Sequence, residues 1–354
     1  MPMPSVIGLI IGDDDQMEDT HLDGVVATRT EVLLARRVRL HRRHRYPQIA
    51  HARRPMMTAT VPAITARSRA FLRAGRKGLK PIVGHVTDQP ESYRDRPMWL
   101  RSEDRGPTRW LILDRVERRN AVPPEGWDDL RDAFLEFESS DQRVLVVTGA
   151  GGAFCSGADL DPEARIETGV VANRRRMQRV GEAAMALHRL TKPTVALVDG
   201  IAAGAGMNLA LGCDLVIATS RARFSEIFVQ RGLTVDFGGT WLLPRIVGSQ
   251  RAKELSLTGR IIDAAEAHAM GLVLEVIDTS AIDERMEELT SSLAAGAPVA
   301  QMFIKQNLNH SLQFDFAQAL ASEGQAQSIC LESEDAAEGV NAFLEKRPPR
   351  FQGR

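Results

Sequence analysis

An α/β fold is predicted by three features of this chain. Short apolar runs of strand length, Val144 to Thr148 and Val195 to Val198 among them, alternate with longer segments of helical period. Each of these two runs breaks into a small-residue loop, Gly151-Gly152-Ala153-Phe154-Cys155-Ser156-Gly157-Ala158-Asp159-Leu160 after the first and Gly200-Ile201-Ala202-Ala203-Gly204-Ala205-Gly206-Met207-Asn208 after the second. Glycines at a strand end let the backbone leave the sheet sharply and approach a ligand closely.

Taken in order, Arg109 to Asp114 reads as a strand. Pro123-Pro124 followed by Trp127, Leu130, Ala133, Phe134 and Phe137 reads as an amphipathic helix with prolines at its start. Arg143 to Thr148 is the next strand. Asn173 to Leu190 carries Met177, Val180, Ala184, Leu187 and Leu190 at helical spacing, and Lys192-Pro193 closes it. Strand Thr194 to Val198 follows. The apolar and small residues of Gly204 to Leu211 suit a helix buried on all sides. Strands are expected at Asp214 to Thr219, Ala222 to Phe224 and Leu272 to Val276, and short helices at Gly238 to Val247, Arg251 to Leu257 and Ala264 to Met270. Four helices end the chain: Asp283 to Ala294, Pro298 to His310, Phe316 to Cys330 and Asp335 to Leu344.

With 354 residues and a 44% apolar share, the chain can bury a large core in one or two domains. Its net charge of −1 gives no reason to expect a nucleic-acid or membrane partner for the chain as a whole. That average hides a basic stretch from Arg29 to Lys80, in which Glu31 stands alone among arginines and lysines. A basic arm for RNA is one reading of it. A disordered extension over residues 1–97 is the reading preferred here, with short helices near Thr30 to Leu40 and Ala63 to Leu72. Asp13 to Asp15, Glu18 and Asp19 argue against a transit peptide. No apolar run is long enough to span a bilayer. Cys155, Cys213 and Cys330 are few, scattered and without metal spacing, which suggests a reducing cytoplasm and no structural metal.

Two glycine loops side by side can aim backbone N–H groups at a single oxygen as negative charge develops on it. Neither loop ends in Gly-Lys-Ser/Thr, and Ser156 is not in a Gly-x-Ser-x-Gly elbow. The loops, together with Leu113 to Val122, Lys192 to Gly200, Cys213-Asp214, Gly232 to Gly248 and Phe343 to Arg347, resemble the crotonase superfamily, the enoyl-CoA hydratase/isomerase family. The resemblance covers about residues 99 to 354. It implies a crotonase (ClpP-like) spiral of ββα turns over residues 98–285 and a C-terminal helical module over 286–354 that covers the site and packs in trimers or dimers of trimers.

The same resemblance implies an acyl-CoA thioester as substrate, with no separate cofactor, no metal, no membrane and no nucleic acid as partner. It places the oxyanion donors at the backbone N–H of Ser156 and of Ala205. It also puts CoA contacts at Arg118, Asn120, Ala121, Ser156, Gly157, Ala158, Asp159, Leu160, Gly204, Phe228 and Lys346. Hydratases of the family use two glutamates, and those positions fall here on Asn208 and Phe228, neither of which accepts a proton at neutral pH. Asp236 occupies the place of the catalytic acid in some isomerases of the family. One carboxylate suffices to shift a double bond, and the apolar neighbours Val235, Phe237 and Trp241 would raise its pKa. Its structural rival is an N-cap for the helix near Gly238. Glu226 lies on the face of Phe228 and is a second acid candidate, against the commoner fate of a solvated or ion-paired surface group. Asn208 is a candidate hydrogen-bond donor, and His188, His268 and His310 are read as core or surface histidines. Isomerisation of an enoyl-CoA is therefore expected. The alternatives are hydration, thioester hydrolysis, dehalogenation or C–C cleavage, and, from another class, a non-catalytic acyl-CoA-binding or RNA-binding protein.

Overall fold

A computed structural model describes residues 99–160 and 168–354. The basic stretch and its two expected short helices lie outside these residues.

Six strands form the main sheet: β1 (Leu100–Arg105), β2 (Thr108–Leu113), β3 (Val144–Gly149), β4 (Thr194–Val198), β6 (Leu215–Thr219) and β9 (Glu275–Ile277), side by side in that order. β1 and β2 are an antiparallel hairpin and every other neighbour is parallel. Parallel strands covered on both faces must be apolar on both, as the buried runs of β3 and β4 are. Alternation along β2 then sorts the core. Leu111 and Leu113 face one layer while Trp110 and Ile112 face the other.

The larger layer is filled by α1 (Gly126–Ser139) and α2 (Val170–His188), through Phe134, Phe137, Val180 and Leu187, and by α3 (Ala205–Leu211), whose seven residues are all buried. The smaller layer is closed by Met286 of α7 (Ile282–Ala294), so the boundary expected between residues 285 and 286 falls within one helix.

A second sheet of three short strands, β5 (Ile201–Ala203), β7 (Arg223–Ser225) and β8 (Ile262–Asp263), has β7 at its centre. The chain passes from β4 to β5 through Asp199-Gly200. Gly200 has φ +70, and a Cβ there would run into the carbonyl of Gly152, so the two glycine loops touch at this bend. The rest of the chain supplies α4 (Gly239–Val247), α5 (Ser249–Thr258), α6 (Ala264–Ala269), α8 (Pro298–His310), α9 (Phe316–Leu331) and α10 (Glu334–Glu345).

Several elements differ from expectation, and the short strands β5 and β8 lie in segments where no strand was expected. β1 was not expected, because its Leu-Arg-Ser-Glu-Asp-Arg run is mostly polar; it is an edge strand held by a hairpin through Gly106 and by ion pairs such as Arg101 with Asp114. The last strand starts at Glu275, three residues later than Leu272, which with Val273 fills the core before the strand begins.

Candidate active site

Backbone hydrogen bonds zip the two glycine loops together. The amides of Phe154 and Cys155 both donate to Ile201 O at 3.0 Å, and Ala203 N returns a bond to Cys155 O at 2.9 Å. On its other side the first loop is held by the turn at residues 115–122. Val122 N donates to Gly157 O and Asp159 N to Val122 O, each at 2.8 Å. Arg119 and Asn120 in that turn are left-handed, at φ 49 and 57. The buried Asn120 side chain fixes them, since its Oδ1 accepts from Arg115 N and its Nδ2 donates to Ala150 O and Ala153 O. Its side-chain polar atoms are thus spent inside the protein, and its backbone N–H is taken by Arg115 O at 2.9 Å, which leaves only its carbonyl for a ligand.

One expected donor is corrected by this accounting. The Ser156 amide donates to Arg119 O at 3.0 Å, and its hydroxyl to Arg118 O at 3.1 Å. A donor engaged in this way cannot also hold a developing oxyanion. Further along the loop the amide of Ala158 has no hydrogen bond among the described residues. Gly157, at φ +95, turns the chain there; a Cβ on it would lie 2.9 Å from Ala203 O and 3.6 Å from Ala205 N. In the second loop Gly204 N is taken by Ser225 O at 2.8 Å, whereas Ala205 is the first residue of α3, where amides have no intrahelical partner. Ala158 and Ala205 are therefore among the amides left free, one on each loop.

Arg118, Arg119, Ser156, Ala158, Asp159, Leu160, Ala203 and Arg231 line a groove of about 490 Å³ beside these amides. Gly204 follows Ala203 of the groove and precedes α3, and the Phe228 ring lies 3.6 Å from where a Cβ on it would stand, so Phe228 packs against the loop. Ala121 borders the groove as well. Asp159 pairs with Arg115 at 2.7 Å. Lys346 is apart from these residues, as the exposed left-handed cap that ends α10.

The polar side chains gather one helical turn along α3. Asn208 stands three residues after Ala205, about 4.5 Å along the helix axis. It is wholly buried, and its Nδ2 donates to Asp236 O at 3.0 Å and to Glu226 Oε2 at 3.4 Å. Gly239 gives it room, because any side chain at 239 would collide with the Asn208 amide. Three buried oxygens at this place have no hydrogen-bond partner among the described residues: Asn208 Oδ1, Glu226 Oε1 and Asp236 Oδ1. Unpaired buried acceptors are costly and point to missing donors.

Asp236 does not cap α4. The N-cap is Gly238, without any side-chain bond, and only the backbone oxygen of Asp236 takes the Gly239 amide. Burial against neighbours such as Phe237, itself packed 5.7 Å from Trp127, pushes the Asp236 carboxyl up to about 6. Phe237 and Gly238 also line a cavity of about 410 Å³ with Met185, His188 and Trp241. Glu226 is 0% exposed, not the surface residue that a glutamate most often is. Desolvation pushes its carboxyl up to about 8, the negative charge of Asp236 adds to this, and the bond from Asn208 opposes it. The burial of Glu226 had no sequence signal beyond its parity with Phe228. The role of Asn208 was visible only as an amide in an apolar helix.

His268 is bonded to Val273 O, His310 to Gln306 O, and His188 packs edge-on against Trp241. Among the described residues no group of three metal-ligating side chains occurs, and no helix is long and apolar enough to cross a membrane.

Comparison with known proteins gives one answer. Residues 110–354 match the family model described as enoyl-CoA hydratase/isomerase. The chain is 37% identical over 247 residues to 1,2-epoxyphenylacetyl-CoA isomerase of Escherichia coli K12, covering 69% of this chain and 94% of that one. It is 38% identical over 244 residues to a probable enoyl-CoA hydratase of Rhodobacter capsulatus, with the same coverage. Among solved structures, a putative enoyl-CoA hydratase of Streptomyces coelicolor superposes with a TM-score of 0.70 at 33% identity, over 78% of this chain and all of that one. An enoyl-CoA hydratase of Bacillus anthracis superposes with a TM-score of 0.69 at 30% identity, over 72% of this chain and all of that one. The spiral of strands around two zipped glycine loops, closed by C-terminal helices, is the crotonase fold. The chain belongs to the enoyl-CoA hydratase/isomerase family and is an acyl-CoA enzyme of the crotonase superfamily.

Proposed function

We propose that the enzyme shifts the double bond of an enoyl-CoA thioester, with Asp236 as the acid/base and the backbone amides of Ala158 and Ala205 as the oxyanion donors. The observation that carries this reading is the carboxyl set. Asn208 and Phe228 stand where a two-glutamate hydratase has its acids, while Asp236 is half-buried, free of capping duty and raised toward neutrality. A base of that strength lifts a proton from carbon at neutral pH and returns it to another carbon, while two N–H groups hold the enolate oxygen. Arg118, Arg119 and Arg231 beside the groove suit the phosphates of CoA. The reaction needs no further cofactor. Gly157, Asp159, Leu160 and Gly204 shape the groove through their backbone.

The core over 98–285 carries the chemistry and the helices over 286–354 carry assembly. Large apolar side chains exposed on α8 to α10, among them Phe316 at 80% and Phe343 at 82%, support burial in a homo-oligomer, a trimer or a dimer of trimers. A cytoplasmic location fits the three free cysteines.

The relative acting as 1,2-epoxyphenylacetyl-CoA isomerase supports isomerase chemistry, and the one named probable enoyl-CoA hydratase supports addition of water. Product analysis with 2-enoyl-CoA and 3-enoyl-CoA side by side separates the two. Interconversion without uptake of water is the expected result; a 3-hydroxyacyl product would sink the isomerase reading.

A further inference from the structure

Glu226 is a buried acid that a single-base double-bond shift leaves unused. It is the N-cap residue of the 3-10 turn Ile227–Arg231, and its side chain bonds to Asn208, not to that turn's amides. The same Asn208 amide group reaches the backbone of Asp236. The Glu226 carboxyl and the backbone that carries the Asp236 carboxyl are therefore braced by one side chain in an apolar pocket formed by α3, the 3-10 turn and the start of α4. On its own turn the nearest cation is Arg231, which is exposed. On α5, which packs against that turn, Arg251, Lys253 and Glu254 are exposed, and on α4 Arg245 is turned onto the Trp241 ring. The groups that act on the Glu226 carboxyl are Asn208 and Asp236. Burial first, and then the negative charge of Asp236, oppose ionisation of Glu226, so the two carboxyls do not titrate independently.

We propose that Glu226 is a positioning residue for Asp236: it holds a proton throughout turnover, and the pair works only while it carries one negative charge between its two members. The neutral carboxyl supplies an O–H donor in a pocket whose three unpartnered atoms are all acceptors. It thereby fixes the Asn208 amide and the Asp236 loop without adding a charge. Were Glu226 to ionise, a second anion would stand beside the enolate that the loop amides must stabilise. This inference rests on Asp236 being the base.

The test is the pH dependence of kcat/KM for the full chain, in wild type and Glu226→Gln, with melting temperatures as the check on folding. The expected wild-type profile is bell-shaped, rising with a midpoint near 6 as Asp236 ionises and falling with a midpoint near 8 as Glu226 does. Glu226→Gln keeps the rising limb and loses the falling one. A falling limb that persists in the variant, or is missing from wild type, overturns the proposal. A missing rising limb instead removes Asp236 from the mechanism, so the two failures are told apart. A readout independent of turnover is carboxyl 13C NMR: Glu226 in wild type should titrate well above an ordinary glutamate, with its midpoint falling in Asp236→Asn. An ordinary midpoint in wild type, or one that Asp236→Asn leaves in place, also refutes the coupling.

Discussion

The two halves of the site are held by different means. The amide half is backbone bonded to backbone: Ile201 O, Cys155 O, Ser225 O and Arg119 O take the N–H groups of Phe154, Cys155, Ala203, Gly204 and Ser156. The carboxyl half hangs on one side chain, Asn208, whose Nδ2 donates to the Glu226 carboxyl and to the backbone oxygen of Asp236. The first arrangement tolerates changes of residue that respect its glycines. The second changes with every substitution of Asn208 or Glu226, because one amide group carries its bonds.

Substitutions graded by effect would break or sharpen this contrast. The largest loss is expected for Asp236→Asn, which removes the proton acceptor; turnover should drop about a hundredfold to ten-thousandfold with thioester binding retained, checked by steady-state assay and calorimetry. Next is Gly157→Ala. At φ +95 a Cβ is strained and presses on Ala203 O, so the Ala158 amide is displaced and the rate should fall by about a hundredfold or more while the carboxyl pH profile keeps its shape.

The carboxyl half should show itself in stability. The Glu226 carboxyl is higher in the folded chain than in the unfolded one, so the folded state binds its proton more tightly. Stability is greatest below the ordinary glutamate pKa and is lost as pH rises toward about 8. Between pH 5 and pH 8 the loss should be on the order of 3 kcal/mol, and Glu226→Gln should flatten it in denaturation curves. Asn208→Ala leaves a buried Glu226 carboxyl oxygen and the Asp236 backbone oxygen without their donor and should cost about 1–3 kcal/mol by the same measurement. The smallest effect belongs to Ser156→Ala. Its hydroxyl bonds only Arg118 O at a solvent-facing edge, and its amide is kept, so rate and stability should move by less than about 0.5 kcal/mol.

The difference between the halves also explains how far the sequence could be read. Strands such as Val144 to Thr148 and helices such as Pro298 to His310 announce themselves by period and by proline, and the structure has them within a few residues. Asp236 was reachable as the one carboxylate among apolar residues near a helix start. Ser156 was not separable from Ala158 in the same way. A motif fixes positions along a loop, but which amide is free depends on Arg119 O, a carbonyl 37 residues upstream in a left-handed turn. The burial of Glu226 was equally hidden, because it stands between a three-residue strand and a 3-10 turn, too short a stretch for alternation to tell inside from outside.

Asn120 links the arginine turn to the loop that carries the Ala158 amide, through three hydrogen bonds from one buried side chain. Whatever grips Arg118 and Arg119 from outside therefore pulls on a rigid bracket rather than a loose tether. In the proposed reaction this bracket would register the handle of a long thioester against its reacting carbonyl before chemistry begins, so that binding far from the bond being changed is converted into alignment at it.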